Sequence, residues 1–419
     1  MSYLFVFRAY PDVDHMVPLA WRLLEDGEEV HAIVSPGLDA SADHHLDHIA
    51  GYSNLHLKQI EPKGGGRLAR IGAHLRSTLP YALGYVLRHR VQLVAVEWGY
   101  GLPDGYDRLA SPRGLVALAR SLAGSILHGG DPRQVRNSFV VAARVLGRAR
   151  VCLPHGLNVK LDAITTNESL ASGRNGFDWR DRNRFSAYVL NTASHREFFL
   201  DHAAGDPEVM QVWGSLRWAP EWVEVNRRLA PTFEWPEDGR DRLKVTLMVP
   251  KWRNRVNKEE AVALVKRLQA LDFVSLALKH HPRPQATDPL REDPDVDWKR
   301  IHDVTKVDSV SLIDASDVVI DVGSSIGVEV LMQGKVLLNP HYCHQLTTIF
   351  DEVPGSCVVA ESEEAVVSYL ESHAAGNPHV VPPDAHAEIL RRTVFASSDE
   401  PFDVLGLYSE RVRALATAG

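Results

Sequence analysis

Apolar residues recur along the chain in short continuous runs, separated by stretches of helical period, and this alternation predicts a parallel α/β protein. Leu4–Phe7 is an apolar run with two aromatics, which reads as a buried strand. Arg8 to His15 is polar and reads as a loop. Val17, Leu19, Ala20, Leu23 and Leu24 then share one helical face, Gly27 closes the helix, and Val30–Val34 is the next strand. Strand, helix and strand within about thirty residues make a βαβ unit, whose strands are parallel.

The same alternation returns twice. Leu93–Val96 reads as a strand running into Glu97, Ser138–Leu146 as a helix, Arg150–Leu153 as a strand running into Pro154-His155-Gly156, and Tyr188–Leu190 as another strand. A stretch rich in Trp, Pro and charge, from about Trp218 to Asp241, reads as a linker. Beyond it, strands are predicted at Lys244–Val249, Val274–Leu278, Val318–Ile320 and Val336–Leu338. Helices are predicted at Glu259–Leu271, Ser309–Ala315 and Val328–Met332, with a last helix at Tyr408–Ala416. No repeat and no low-complexity tract interrupts the series.

Size and composition agree with two cores. The chain has 419 residues, 45% of them hydrophobic, and single cores stop growing near ~250–300 residues. The predicted division is a first Rossmann-like domain over 1–225, a second over 240–400, and a C-terminal helix over 401–419. A formal charge of -8 argues against nucleic acid as a partner. Cys152, Cys343 and Cys357 are widely spaced, which suits a reducing compartment and no zinc ribbon. The first apolar run is too short for a signal peptide, and no run approaches the ~18 apolar residues of a spanning helix. The expectation is a cytoplasmic protein. Arg67, Arg70, Arg76, Arg88 and Arg90, interleaved with apolar residues, fit either a peripheral contact with the inner face of the membrane or an ordinary surface.

In open parallel sheets, ligands sit beyond the carboxyl ends of the strands, and the polar residues of this chain gather there. Asp321-Val322-Gly323-Ser324-Ser325 joins a strand to a helix. Ser324 and Ser325 fall at the helix start, where N–H groups and the positive dipole end suit a phosphate. Glu329, one turn on, could accept from ribose hydroxyls, or these residues form a plain cap with an exposed carboxylate. Lys279, His281 and Arg283 follow a strand and could face a phosphate, or line a basic surface loop. Lys251 and Arg253 add charge to the same edge, and Trp252 either stacks on a base or covers the sheet. In the first half, His155 projects over a strand end at a glycine turn and is either the candidate general base or a structural histidine. Glu97 and Asp14, with Asp12 and His15, are weaker candidates for base, nucleophile or acceptor ligand.

These motifs resemble those of cell-surface polymer transferases of GT-B fold. CDP-glycerol glycerophosphotransferases carry in order a His-Gly turn, a Gly-x-x-Arg segment, a Pro-x-Trp/Phe-Arg strand end, a His-Pro loop and an Asp-x-Ser-Ser turn. Here these correspond to His155-Gly156, Gly214 to Arg217, Pro250 to Arg253, His281-Pro282 and Asp321 to Ser325. The turn at Asp321 is one residue longer, Pro154 replaces a Trp and Leu216 a Pro, and the first 150 residues carry little of the likeness. Ser324 to Glu329 also resembles the Ser-x-x-Gly-x-Glu pattern of capsule β-Kdo transferases. The resemblance implies two Rossmann-like parallel-sheet domains facing a central cleft, with His155 on one side and His281 and Ser324 on the other. It implies a cytidine-linked donor, CMP- or CDP-activated, no further cofactor and no metal, and a glycan or lipid-linked acceptor. A UDP-sugar glycosyltransferase or 2-epimerase-like enzyme on the same fold, and a non-catalytic scaffold subunit of a capsule complex, are the alternatives.

Overall fold

The computed structural model describes residues 1–35, 38–40, 43–60, 78–97, 132–156, 180–236, 241–281 and 287–418. The chain divides into two α/β units at Trp222/Val223 and returns to the first unit at Val394.

The first unit is built on a seven-stranded sheet. Its strands are β1 (Ser2–Phe7), β2 (Glu29–Val34), β3 (Leu55–Gln59), β4 (Leu93–Glu97), β5 (Ala149–Leu153), β6 (Ala187–Leu190) and β7 (Met210–Val212), in the order β3-β2-β1-β4-β5-β6-β7. Every pairing is parallel. All six residues of β1 are buried, as expected of a central strand covered on both faces. Leu4, Val6, Val94 and Val96 share a core with Phe139 of the helix Pro132–Val145 and with Tyr188.

The second unit has a six-stranded, wholly parallel sheet of β8 (Leu243–Met248), β9 (Val274–Lys279), β10 (Ile301–Asp303), β11 (Val318–Asp321), β12 (Val336–Pro340) and β13 (Val358–Ala360), in the order β10-β9-β8-β11-β12-β13. Val245, Leu247, Leu276, Leu278, Val318 and Ile320 form the centre of its core. Both orders begin at an inner strand and grow to either side, so each sheet has one switch point: between β1 and β4 in the first and between β8 and β11 in the second.

Two sequence expectations are corrected. The predicted loop over Arg8–His15 is largely helix: α1 runs Tyr10–Glu25, with Pro11 in its first turn and Pro18 inside it. Pro11 suits a helix start. Pro18 cannot donate to the carbonyl four residues back, but Val17 and Leu19 on either side are fully buried, and that packing carries the helix through. The predicted linker from Trp218 to Asp241 contains the helix Pro220–Leu229, anchored by the fully buried Trp222, and the division between units falls within it.

The last segment belongs to the first unit. The helix Val404–Ala418 buries Val404, Leu405, Tyr408 and Val412 completely. Tyr408 meets Trp213 edge to face, ring centroids 5.0 Å apart, and its hydroxyl donates to the Gly214 carbonyl at 2.8 Å. The three cysteines are buried and form no disulfide, and burial pushes the Cys343 and Cys357 thiols up to about 12. Among the described residues, no helix is long and apolar enough to cross a membrane. Arg67, Arg70 and Arg76 lie outside the described residues, while Arg88 and Arg90 are exposed.

Candidate active site

At the switch point of the first sheet, β1 and β4 send their connections to opposite sides and leave a crevice beyond their carboxyl ends. Arg8 follows β1 and Glu97 ends β4. The Arg8 guanidinium forks onto Asp12, Nε to Oδ2 at 2.7 Å and Nη2 to Oδ1 at 2.9 Å, and Nη2 also pairs with Glu97 Oε2. The Arg8 backbone N–H donates to Asp12 as well, at 2.8 Å. Glu97 is 1% exposed, and its second oxygen pairs with Nδ1 of His155, whose side chain is 30% exposed. A buried carboxylate is tolerable only with such partners. The result is a continuous polar chain, Asp12–Arg8–Glu97–His155, leading from the interior to an accessible imidazole.

His155 is held in place by its own turn. Gly156 has φ 66°, a left-handed step that glycine takes without strain, and a Cβ there would make only ordinary contact with His15, 3.6 Å from its Nε2. The amide of Asn191, just after β6, donates to the Gly156 carbonyl at 2.5 Å. The His15 and His155 rings meet edge to face at 5.4 Å. Asp14, one residue before His15 on α1 and buried, pairs with Arg217 at 2.5 Å, and the Arg217 guanidinium lies 5.0 Å from the Trp218 ring. The predicted residues His155, Glu97 and Asp14 are thus brought to one end of one sheet. Arg8 and Asn191 were missed by sequence reasoning, and the available signal was their position immediately after a strand.

In the second unit, the switch point lies between β8 and β11, where Met248 and Asp321 are register neighbours. Val249 and Pro250 lead from β8 into Lys251, half-buried, Trp252, buried, and Arg253, exposed. The buried carboxylate of Asp321 accepts both the Ser324 N–H and the Ser324 hydroxyl, each at 2.7 Å, and Ser324 Oγ accepts from the Ile326 N–H at 3.3 Å. Gly323 supplies the left-handed step, φ 67°. Ser324 therefore spends its donors inside the turn. Ser325 precedes the seven-residue helix Ile326–Met332, and Glu329 in that helix is buried rather than exposed.

Lys279, ending β9, donates its ammonium to the carbonyls of Thr305, at 3.3 Å, and Val307. Burial lowers its pKa, against the attraction of Asp308 and Glu329. His280 Nδ1 faces Asp288 at 3.2 Å, and its ring stacks on Trp298, centroids 6.0 Å apart. His281 is half-buried beside it, and Arg283 lies outside the described residues.

No protein-family model matches the sequence, and no curated protein matches it. Solved structures share its fold. A Listeria monocytogenes protein assigned as a UDP-N-acetylglucosamine 2-epimerase is 12% identical, with 100% of this chain and 96% of that one covered at TM-score 0.56. The UDP-GlcNAc 2-epimerase of Neisseria meningitidis, bound to UDP-GlcNAc, is 10% identical with 100% of both chains covered at TM-score 0.53. That of Methanocaldococcus jannaschii is 10% identical, again over 100% of both, at TM-score 0.51. What this chain has in common with them at such identities is the fold: two parallel α/β units of the GT-B class.

Proposed function

We propose that the protein is an enzyme acting on a nucleotide-activated sugar, in which His155 exchanges a proton with the substrate and Glu97 holds its ring. The observation that carries this reading is the Asp12–Arg8–Glu97–His155 chain at the switch point of the first sheet. A carboxylate at Nδ1 fixes the imidazole and offsets the charge it gains when Nε2 takes a proton. Arg8, held on two sides, keeps Glu97 in place. The nucleotide belongs to the second unit, at the strand ends of its sheet. Lys251 and Arg253 after β8 and His281 after β9 supply cationic and donor groups for phosphate. Ser325 adds a hydroxyl, and the buried Glu329 suits ribose hydroxyls.

Two substrates are in view. The similar folds named above are UDP-GlcNAc 2-epimerases, which favours a UDP-sugar and either inversion at a ring carbon or transfer of the sugar. The five ordered motifs between residues 150 and 335 favour a cytidine donor and transfer of a glycosyl or polyol-phosphate unit to a surface glycan or lipid-linked acceptor, at the cytoplasmic face of a membrane. The first is preferred. Calorimetry with UDP, CDP and CMP, followed by incubation with UDP-GlcNAc in D₂O, separates them. Inversion through removal of a carbon-bound proton brings solvent deuterium into the sugar, and transfer does not. Binding of UDP with deuterium uptake is the expected result. Selective CDP or CMP binding moves the reading to the cytidine transferase, and a protein that binds none of the three uses neither donor.

A further inference from the structure

At the opposite, amino-terminal edge of the same sheet, on β2 and β3, lies a cluster that plays no part in the reading above. Glu29 opens β2, and His31 is two residues on, so both project to one face of the sheet. His56 of β3 is the direct register partner of His31, and in a parallel pair such partners point the same way. Backbone pairing alone therefore brings one carboxylate and two imidazoles together. One oxygen of Glu29, Oε1, stands 3.2 Å from His31 Nε2 and 3.1 Å from His56 Nε2, and the ligand atoms of all three residues lie within 4.8 Å of one another. The ligand atoms around a tetrahedral zinc with bonds of ~2.1 Å are about 3.4 Å apart, so two of the three edges already have the required length.

The surroundings fit a metal as well. His31 is fully buried, and its other nitrogen, Nδ1, lies 3.0 Å from the Tyr85 hydroxyl. With Nδ1–H donating to that oxygen, the Nε2 lone pair faces the cluster, the arrangement in which a second group sets the tautomer of a ligating histidine. The ring of His89, at the end of the helix Leu79–Arg88, is 4.9 Å from that of His31. Glu29 and His56 are both about half exposed, 47% and 49%, so the third edge can close by side-chain rotation and an ion has a way in.

We propose that Glu29, His31 and His56 bind a divalent transition metal of the zinc type, which ties the edge strand β3 to β2. Two imidazoles and a carboxylate suit zinc, with water or His89 completing the shell. The spacing of these residues in the sequence carries no metal motif, because the site is made by strand register rather than by neighbours along the chain.

The test uses the full chain without a histidine tag, stripped with chelator and titrated with Co²⁺ near neutral pH. The expected result is one equivalent bound with the intense visible bands of four-coordinate cobalt, displaced by Zn²⁺. Affinity should fall by at least about tenfold in both His56→Ala and Glu29→Gln, whose exposed positions leave the fold intact by circular dichroism. Zn²⁺ should also raise the melting temperature of the wild-type chain and not that of the variants. Six-coordinate cobalt only, or unchanged affinity in both variants, overturns the site.

Discussion

Glu97 divides its two carboxylate oxygens between a guanidinium and an imidazole while being almost wholly out of water, and the chemistry proposed for His155 depends on that division. Truncating the ring removes the accessible end of the chain and leaves Arg8 and Asp12 paired. His155→Ala is therefore expected to lower turnover by about 10²–10⁴-fold with nucleotide affinity nearly unchanged, checked by steady-state kinetics beside calorimetry. Near wild-type turnover would return His155 to a structural role. His155 and Glu97 could be picked from the sequence because each stands at or beside the end of an apolar run, and Asp14 because it lies in the polar stretch after the first strand. Arg8 offered only its place directly after a strand, a signal too weak to single it out, and its fork onto Asp12 depends on helix α1 starting early enough to turn Asp12 back toward it. Ser324 shows the converse: the Ser-Ser signal was plain, but its hydroxyl and N–H close the turn on Asp321.

At the scale of elements, two features set the stability of the first unit. Gly214 follows β7 with φ 87°, and a Cβ there would overlap the Val394 carbonyl oxygen, to which the Ser215 N–H donates at 3.0 Å. Gly214→Ala combines left-handed strain with displacement of the returning segment, and should cost about 3 kcal/mol or more, read as a lower denaturation midpoint; an unchanged midpoint would show that Val394 moves aside freely. The second feature is His195, which sits in the first turn of the helix Ala193–His202, packed 4.9 Å from the Phe199 ring. Burial pushes its pKa down to about 4, and the adjoining helix N-terminus also disfavours a cation. The ring is neutral when folded and binds a proton more readily when unfolded. Its contribution is complete above about pH 6.5 and is lost as pH falls toward 4, about 2 kcal/mol between pH 7 and 5. His195→Leu should flatten the fall of melting temperature over that range, and an equal fall in both proteins would exclude His195 as its source. Neither feature has a local sequence signature, because each depends on a partner that the fold brings from elsewhere.

For the molecule as a whole, the fold class was legible and the sheet orders were not. Continuous apolar runs such as Tyr3–Phe7 and Val318–Ile320 mark inner strands, since both their faces are covered. Of the short outer strands, Leu55–Gln59, Met210–Val212 and Ile301–Asp303 carry mixed polarity, and Val358–Ala360 is only three residues long, so none gave such a signal. The order of strands is a property of connections, which periodicity does not encode. The return of the chain at Val394 was hidden for the same reason, and it bears on how the protein is made. During synthesis, at roughly 5–20 residues per second, the strands of the first unit leave the ribosome first, but Val394, Tyr408 and Val412, which complete its core, leave after the whole of β8–β13. The first sheet thus has all seven of its strands before β8 is made, yet it waits with Trp213 uncovered by Tyr408. A helix made after the second sheet is thus the closing piece of the unit begun before that sheet.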